Sequence, residues 1–356
     1  MNPQLTLDRE QFKISHDQMD FFPSTRFMGS KTKLLEFIWD NVKHFEVNSV
    51  LDAFSGSGVV GYMFKTKGKK VHSNDILRYS SNIAKALIEN NESIIDNEDL
   101  IILLGRSVKT NGFIRDTFRG LYFTEEENLF LEQVWHRIGF LSNPAKKSLA
   151  LSALARACVK KRPRGIFTYT GDRYDDGRKD LRTSLEEHFI NAIAAYNKAV
   201  FDNDQKNSGT CGDIFALENR SFDLVYMDPP YFSTRSDNDY LRRYHFVEGL
   251  ASYWQDVEIQ TSTKTKKIKK YQTQFDSKNR VYNAFHKLFA MFPTSILAVS
   301  YSSNSLPTKE EMIQILKQYR NNVEIKEFDH KYSFGNQNHK IGDNKNAVKE
   351  YLFIAY

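Results

Sequence analysis

The segment Val50–Gly61, VLDAFSGSGVVG, decides the fold of this chain. Its first five residues are typical of a buried strand, and a helical run follows its glycines. Gly56, Gly58 and Gly61 have the GxGxxG spacing between that strand and that helix. Because glycine lets a ligand approach the N-terminus of a helix closely, the segment predicts the nucleotide-binding half of an α/β sheet.

A second strand is predicted at Lys70–Ser73, and it is followed by Asn74 and Asp75. An acidic residue at this position can accept hydrogen bonds from ribose hydroxyls. Asp75 could instead cap the helix that follows. The glycine segment and Asp75 alone do not separate a dinucleotide site from a site for S-adenosylmethionine.

The tetrapeptide Asp228-Pro229-Pro230-Tyr231 directly follows an apolar run, Phe222–Met227, that reads as a buried strand. Two consecutive prolines cannot continue a sheet, so the strand must end there. The Asp228 carboxylate and the Pro229 carbonyl are then two rigid acceptors beside the Tyr231 ring. This arrangement suits an exocyclic amino group on a flat base, although a short motif can also be an ordinary turn.

Taken in order, these motifs resemble the α-class, Dam-like group of DNA adenine-N6 methyltransferases. The resemblance runs from about Phe27 to the C-terminus and rests on five blocks: Phe27–Lys31, Asp52–Gly58, Asp75, Asp213 and the tetrapeptide at 228–231. It implies an α/β fold with the Rossmann-like sheet of class I methyltransferases that use S-adenosylmethionine, with seven strands of which the last is antiparallel. It also implies a catalytic domain at 1–95 and 205–356, and an inserted, largely helical target-recognition domain at 96–204.

The resemblance also implies residues that hold S-adenosylmethionine. Lys31 would pair with its carboxylate, Asp75 would accept from its ribose, and Asp213 would lie near its adenine. Phe54 could equally be a core residue, and Asp213 a helix cap. The complete predicted set is Phe27, Lys31, Asp52, Phe54, Gly56, Gly58, Asp75, Asp213 and Asp228.

Asp228, Pro229 and Tyr231 are the predicted catalytic residues. Hydrogen bonds from the adenine amino group to Asp228 and to the Pro229 carbonyl would localise the lone pair of its nitrogen. The nitrogen would then attack the methyl group directly, which leaves S-adenosylhomocysteine as the product. Tyr231 would stack on a base that has left the duplex.

A basic stretch between Arg156 and Arg182 holds nine basic and four acidic residues. Glycines, a proline and aromatic residues within it predict a hairpin that enters a DNA groove. A solvated surface loop is the alternative. The predicted DNA contacts in this stretch are Arg162, Arg164, Tyr169 and Arg173.

Lys264–Lys270 contains five lysines and lies in a polar segment, 256–279, that we expect to be mobile or to become ordered only on binding. Lys267 is the residue of this cluster that we predict to contact a DNA phosphate. A solvated, flexible surface is an equally weighted alternative for the cluster. The resemblance further implies that the residues after the tetrapeptide close over the base, so Arg235 and Tyr244 are candidate DNA contacts. We expect His245 to be structural.

Composition favours an enzyme of the reducing cytosol. The chain has 356 residues, a formal charge of +6 and two cysteines, which are too few for a disulfide framework or a cysteine-rich metal site. Neither cysteine follows a proline, which argues against a cytosine methyltransferase with a thiolate nucleophile. We see no signal peptide or membrane span and expect a cytoplasmic location in a bacterium or a phage-infected cell.

The expected partner is double-stranded DNA, with a possible cognate restriction endonuclease, and the expected assembly is a monomer or weak dimer. An RNA adenine methyltransferase shares the same chemistry and stays open as an alternative. A DNA-binding protein with a non-catalytic methyltransferase fold is another. A dehydrogenase would explain the glycines and Asp75 but gives the tetrapeptide no role.

Further elements are predicted from local patterns. Thr124 and Glu127 form a capping box that starts a helix to about Ile138. The remaining predicted helices lie at about 31–42, 79–89, 145–159, 185–199 and 308–319. An apolar strand is predicted at 296–301, and closing strands are predicted at 323–328 and 351–356.

Overall fold

The computed structural model describes residues 16–105, 108–170, 175, 177–232, 240–331 and 347–356. Seven strands form one sheet in the order β3-β2-β1-β4-β5-β7-β6. The strands are β1 (Ser49–Asp52), β2 (Lys70–Asp75), β3 (Ser208–Cys211), β4 (Leu224–Met227), β5 (Ile296–Ser302), β6 (Val323–Lys331) and β7 (Ala347–Ala355).

The centre of the sheet is parallel and buried. β1 pairs with β2 on one side and with β4 on the other, and all four residues of β4 are buried. Such burial on both faces explains why these strands read as continuous apolar runs. In this register Asp52 lies opposite Tyr226, so Asp52, Asp75 and Asp228 all lie at the carboxyl edge of the sheet.

β7 is antiparallel to both of its neighbours, β5 and β6. It lies between them, which makes it the one antiparallel strand of a mixed seven-stranded sheet among the described residues. The predicted fold class and its antiparallel last strand are therefore confirmed. Both closing strands extend further than predicted, and Glu350 pairs with Ser302 near the carboxyl end of β5.

The helices predicted from local patterns are all present, and most of them have shifted ends. The capping box of Thr124 and Glu127 begins α6, and the helix predicted from residue 31 begins at Leu35 after a short 3₁₀ turn. A π-helical turn, Lys85–Glu89, continues α3. The helices are α1 (Leu35–Val42), α2 (Val59–Thr66), α3 (Arg78–Ala84), α4 (Asn97–Leu104), α5 (Phe113–Thr117), α6 (Glu125–Ile138), α7 (Pro144–Lys161), α8 (Lys179–Arg182), α9 (Leu185–Ala199), α10 (Tyr240–Ser252), α11 (Lys278–Ala290) and α12 (Lys309–Leu316).

The interval 96–204 holds α4 to α9. Its helices share one hydrophobic core with the sheet: Leu149 of α7 and Phe189 of α9 belong to the same buried cluster as Val50 of β1. α7 packs against α3 and α10. These helices are therefore joined to the sheet by a common core, and their role as a recognition domain stays a prediction. In the part of the chain that the structure describes, no helix is both long and apolar enough to cross a bilayer.

Candidate active site

A cavity of about 330 Å³ lies at the carboxyl ends of β1, β2 and β4. Residues far apart in the sequence meet there because parallel strands end at the same edge of the sheet. Gly58 and Pro229 are not in its wall: Gly58 precedes α2, and Pro229 is buried. The predicted residues that line the cavity are Phe27, Lys31, Asp52, Phe54, Gly56, Asp75, Asp213, Asp228 and Tyr231.

The glycine loop joins β1 to α2 through two left-handed residues. Gly56 has φ +51° and Gly58 has φ +77°, values that residues with a Cβ rarely adopt. The Gly56 N–H donates to Asp75 Oδ2 at 2.7 Å, and the Gly58 N–H donates to the Ser55 carbonyl. The loop is thus held in shape by β2 and by its own backbone.

Asp75 ties the end of β2 to two backbone groups. Besides Gly56, it accepts the Leu77 N–H at Oδ1, at 2.8 Å. Burial raises the pKa of Asp75 to about 6, against the opposing effect of these backbone hydrogen bonds. Asp75 therefore lies in the cavity wall and also organises the entry to α3, so both sequence interpretations find support.

Asp52 is a deeply buried acid of the cavity. Its Oδ2 accepts the Gly61 N–H at 3.0 Å, and the residue is 1% exposed. Burial raises the pKa of Asp52 to about 8, with a further increase from the negative charges of Asp228 and Asp75. The site thus places three carboxylates close enough to affect one another.

Asp213 and Phe54 also line the cavity. Asp213 accepts the Phe215 N–H at 3.1 Å and so caps a short 3₁₀ turn, Ile214–Ala216. Phe54 packs edge-on against Phe275, with ring centroids 5.4 Å apart. The capping role that the sequence left open for Asp213 is present, and its position in the wall leaves a ligand contact possible.

The N-terminal block supplies Phe27 and Lys31. The Phe27 ring stacks on Tyr244 of α10, with centroids 5.0 Å apart and an angle of 8°. Lys31 is 4% exposed and points at the tetrapeptide, where its Nζ lies 2.9 Å from Asp228 Oδ2. Lys31 is therefore paired with the predicted catalytic carboxylate in this structure.

The tetrapeptide leaves β4 with its polar groups joined in one network. Lys31 Nζ donates to the Tyr231 hydroxyl at 2.8 Å, and that hydroxyl lies 2.8 Å from Asp228 Oδ1. Burial raises the pKa of Asp228, whereas the Lys31 ammonium lowers it. The Tyr231 ring packs edge-on against Tyr301 of β5 at 5.0 Å. Asp228 and Tyr231 are therefore fixed beside the cavity by β4, β5 and Lys31.

A model of the D12 class N6 adenine-specific DNA methyltransferases matches residues 27–315 of this chain. The chain belongs to that family. The resemblance inferred from the motifs is thereby confirmed, and so is the enzyme class, an adenine-specific DNA methyltransferase.

The methyltransferase is also similar to curated relatives. The type II methyltransferase M2.HphI of Haemophilus parahaemolyticus is 28% identical over 94% of this chain and 98% of its own length. M.NlaIII of Neisseria lactamica is 23% identical over 92% and 98%. M.FokI of Planomicrobium okeanokoites is 28% identical, and the match covers 83% of this chain but only 47% of the relative. The chain thus spans nearly all of two relatives and about half of the third.

The sequence interpretation missed Glu350 in β7. Its side chain is 3% exposed, and its Oε2 lies 3.2 Å from the Tyr231 hydroxyl and 3.9 Å from Lys31 Nζ. A single carboxylate at the start of the apolar run Tyr351–Ala355 was the available signal. Only the placement of β7 beside β5 brings it to the tetrapeptide.

Also missed was the part of 256–279 that lines the cavity of the methyltransferase. Lys270, Tyr271 and Phe275 belong to the cavity wall, and Phe275 is 4% exposed. Ile268 is equally buried. The segment predicted to be mobile is thus anchored in the core by apolar residues within its polar composition.

The first basic stretch does not form the predicted hairpin in its described part. Arg162 is 3% exposed, and its guanidinium donates to the carbonyls of Tyr122 and Tyr169. The prediction of Arg162 as a DNA contact is corrected accordingly, because a guanidinium enclosed by these groups does not face solvent. Arg164 and Tyr169 are half-buried, and Arg164 has φ +57° in a 3₁₀ turn. Arg173 lies outside the described residues.

Tyr244 is also buried, at 1% exposure. Its hydroxyl accepts the Met28 N–H at 2.7 Å, and its ring supports Phe27. The prediction of a direct DNA contact is therefore corrected, since Tyr244 holds the N-terminal block in place. Arg235 lies outside the described residues.

A basic hairpin does exist, but in the second cluster. Ile259 and Ile268 form an antiparallel bridge, and the N–H groups of Gln260 and Lys269 donate to the carbonyls of Lys267 and Glu258. Lys264 and Lys269 are exposed on this hairpin, and Lys267 is half-buried. The hairpin prediction was thus applied to the wrong one of two basic segments.

The buried hydroxyl of Tyr122 links the two basic segments of the methyltransferase. The Tyr122 hydroxyl lies 2.7 Å from the Thr265 carbonyl and 3.0 Å from the Phe167 carbonyl. His245 Nε2 lies 2.9 Å from the same Phe167 carbonyl, and burial lowers the pKa of His245 to about 4. His245 is therefore structural, as expected. Arg242 of α10 is exposed and precedes His245 by three residues. We define the basic surface as Arg164, Arg242, Lys264, Lys267 and Lys269.

Proposed function

We propose that this methyltransferase transfers the methyl group of S-adenosylmethionine directly to N6 of an adenine that has rotated out of duplex DNA. The proposal rests on the position of Asp228. This residue directly follows β4 and lies in the wall of the same cavity as the glycine loop. An acceptor for an amino group thus lies beside a site suited to a nucleoside cofactor.

The cavity residues fit S-adenosylmethionine. The Ser55 hydroxyl lies in the wall, is buried, and makes no hydrogen bond to any described residue, so a ligand could satisfy it. Each Asp75 oxygen accepts one backbone N–H and retains a second lone pair for a ribose hydroxyl. Phe27 and Phe54 would contact the apolar parts of the cofactor, and Asp213 its adenine. When bound, S-adenosylmethionine supplies an electrophilic methyl group.

The protein's part in the chemistry is to position and polarise the target nitrogen. The adenine amino nitrogen is a poor nucleophile because its lone pair is delocalised into the ring. A hydrogen bond to Asp228, in the cavity wall, would localise that lone pair, and the carbonyl of Pro229, the next residue in the chain, is the predicted second acceptor. Asp228 need not be a strong base, since the methylated nitrogen is itself strongly acidic.

Tyr231 would receive the extruded base. Its ring is held by Tyr301 and its hydroxyl by Asp228 and Lys31, so its orientation is set before the base arrives. Stacking of a base on an aromatic ring contributes about 1–3 kcal/mol, which offsets part of the cost of unstacking.

The basic surface is the proposed contact with duplex DNA. The Tyr122 and His245 hydrogen bonds join segments about 100 residues apart in the chain, so their positive charges act as one surface. Lysine and arginine side chains there would bind phosphates and orient the duplex over the cavity. Arg173 and Arg235 stay predicted contacts.

The biological setting follows from the relatives' names and sources. They are called type II methyltransferases or modification methylases and come from bacteria and a chlorella virus. We therefore propose that a cognate restriction endonuclease accompanies the enzyme, that it acts in the cytoplasm of its host, and that it works as a monomer or weak dimer.

Methyl transfer tests the proposal directly. Purified protein is incubated with methyl-labelled S-adenosylmethionine and unmethylated duplex DNA, with structured RNA in parallel, and the products are digested to nucleosides. We expect labelled N6-methyladenine from DNA. Label in RNA alone would mean that the substrate is RNA rather than DNA. No label with either nucleic acid would refute the proposed activity.

A further inference from the structure

Glu350 is a buried carboxylate beside the catalytic tetrapeptide, on a strand that carries no recognised motif. Its pairing with Ser302 places it near the carboxyl end of β5. Its Oε2 lies 3.2 Å from the Tyr231 hydroxyl and 3.9 Å from Lys31 Nζ. A buried charge is costly unless it is paired, and the Lys31 ammonium is a cation that Glu350 shares with Asp228.

The Tyr231 hydroxyl has one proton and two carboxylates within reach. It accepts from Lys31, so it can donate to either Asp228 Oδ1 at 2.8 Å or Glu350 Oε2 at 3.2 Å. Lys31 is likewise shared, because its ammonium lies 2.9 Å from Asp228 and 3.9 Å from Glu350. Small movements would transfer both donors from Asp228 to Glu350.

The donors on Asp228 weaken it as an acceptor for the role proposed for it. Oδ1 of Asp228 faces Tyr231 and Oδ2 faces Lys31. Each oxygen keeps a second lone pair, but an incoming amino group would share that oxygen with a donor that already draws on its negative charge. A buried donor that loses its acceptor is destabilising, and more so when it is charged.

We propose that Glu350 is a positioning residue that accepts the Tyr231 hydroxyl and the Lys31 ammonium when the target amino group occupies Asp228. Glu350 thereby frees Asp228 without leaving either donor unsatisfied. This inference rests on the proposed function, in which Asp228 binds the adenine amino group.

The first test compares Glu350→Gln and Glu350→Ala with the wild type. Glutamine still accepts the Tyr231 hydroxyl but has no charge to draw Lys31 from Asp228. We expect kcat to fall by about 10- to 100-fold, as for other small misplacements of reacting groups, and to fall further with alanine. The dissociation constant for S-adenosylmethionine and the KM for DNA should stay within about threefold of wild type, because Glu350 touches neither in this account.

Glu132→Gln is the matched control. Glu132 is also a fully buried carboxylate, but it lies on α6, accepts from the Ile114 N–H and is absent from the cavity wall. Its neutralisation should lower the thermal midpoint and leave kcat unchanged. Equal kcat losses in both variants would identify a general stability effect and overturn the proposal.

A double-mutant cycle with Tyr231→Phe separates positioning from a merely structural role. Phenylalanine removes the shared proton, so Glu350→Gln should reduce kcat at least threefold less in that background. Additive effects would overturn the proposal, as would wild-type kcat in Glu350→Gln. Wild-type protein that methylates no DNA would instead refute the proposed function, and this inference with it.

Discussion

The cofactor cavity and the basic surface were predicted by different kinds of signal, and they fared differently. The cavity residues come from short motifs at strand ends, where backbone geometry leaves few choices, and nine of the predicted residues line one cavity. The DNA contacts came from charge pattern or from position after the tetrapeptide, and two of them, Arg162 and Tyr244, are buried. Motifs that constrain the backbone therefore locate side chains, whereas charge alone does not determine exposure.

The strongest test of the cavity is Asp228→Ala. Loss of the acceptor should reduce methyl transfer by about 100- to 1000-fold, the range found when a preorganised hydrogen-bonding group is removed from an active site. Binding of S-adenosylmethionine, measured by calorimetry, should change little. Turnover close to wild type would mean that the catalytic centre lies elsewhere. The motif-based prediction of the cavity would then be no more accurate than the charge-based prediction of the DNA contacts.

Arg162→Ala tests whether a basic residue can be structural. Its guanidinium holds the carbonyls of Tyr122 and Tyr169 and lies over both of their rings. Removal should lower the free energy of unfolding by about 2–4 kcal/mol, because buried acceptors lose a charged donor. Chemical denaturation measures this change. Arg164→Ala, on the same turn but half-buried, is the control and should cost far less.

If Arg162→Ala left stability unchanged and weakened DNA binding instead, the original interpretation of this stretch would be restored. Arg162 and Arg164 are separated by one proline and carry the same charge. A difference between the two variants therefore reports the effect of burial rather than the effect of charge or of position in the chain.

Much of the fold was predictable because its determinants are local. The Thr124 capping box, the end of β4 at two prolines and the glycine loop are each set by neighbouring residues. The number of strands and the antiparallel last strand followed from the resemblance to a family. Element ends were less predictable: the N-terminal helix begins at Leu35 because a 3₁₀ turn precedes it.

The remaining features depend on contacts between distant segments. Glu350 reaches Tyr231 only because β7 inserts beside β5, and Ile268 and Phe275 anchor 256–279 although that segment is polar overall. Tyr244 faces inward because Phe27 and Met28 pack on it. These contacts between distant segments leave no pattern in the local sequence. The residues of the site were therefore predicted correctly only in segments that carry a motif of their own.

Asp52→Asn tests whether Asp52 makes the stability of the protein depend on pH. Because the folded pKa of about 8 lies above the unfolded value, the folded state binds more protons between about pH 4 and 8. Stability from this group is therefore greatest at low pH and falls as pH rises through that window. Asparagine cannot titrate but can still accept the Gly61 N–H, so the fall should become smaller by up to a few kcal/mol.

Thermal midpoints at pH 5 and pH 8 measure this effect. Asp223→Asn is the control of opposite sign, because backbone hydrogen bonds from Asn48 and Ser49 lower the pKa of Asp223. Its stabilisation is present above the unfolded pKa, so the asparagine variant should lose stability at both pH values. An unchanged pH profile in Asp52→Asn would mean that Asp52 is not held in a protonated, buried state.

The smallest expected effect concerns the basic hairpin. Replacing Lys264 and Lys267 with alanine should weaken DNA binding uniformly across sequences and reduce the slope of log K against log salt by about 2, one for each lost phosphate contact. Lys43→Ala is the control, since this exposed lysine follows α1 and pairs with Asp40. An unchanged slope in the double variant would leave Arg164 and Arg242 to bind the phosphates. A reduced slope would show that the surface predicted least well from sequence still obeys simple electrostatics once its geometry is known.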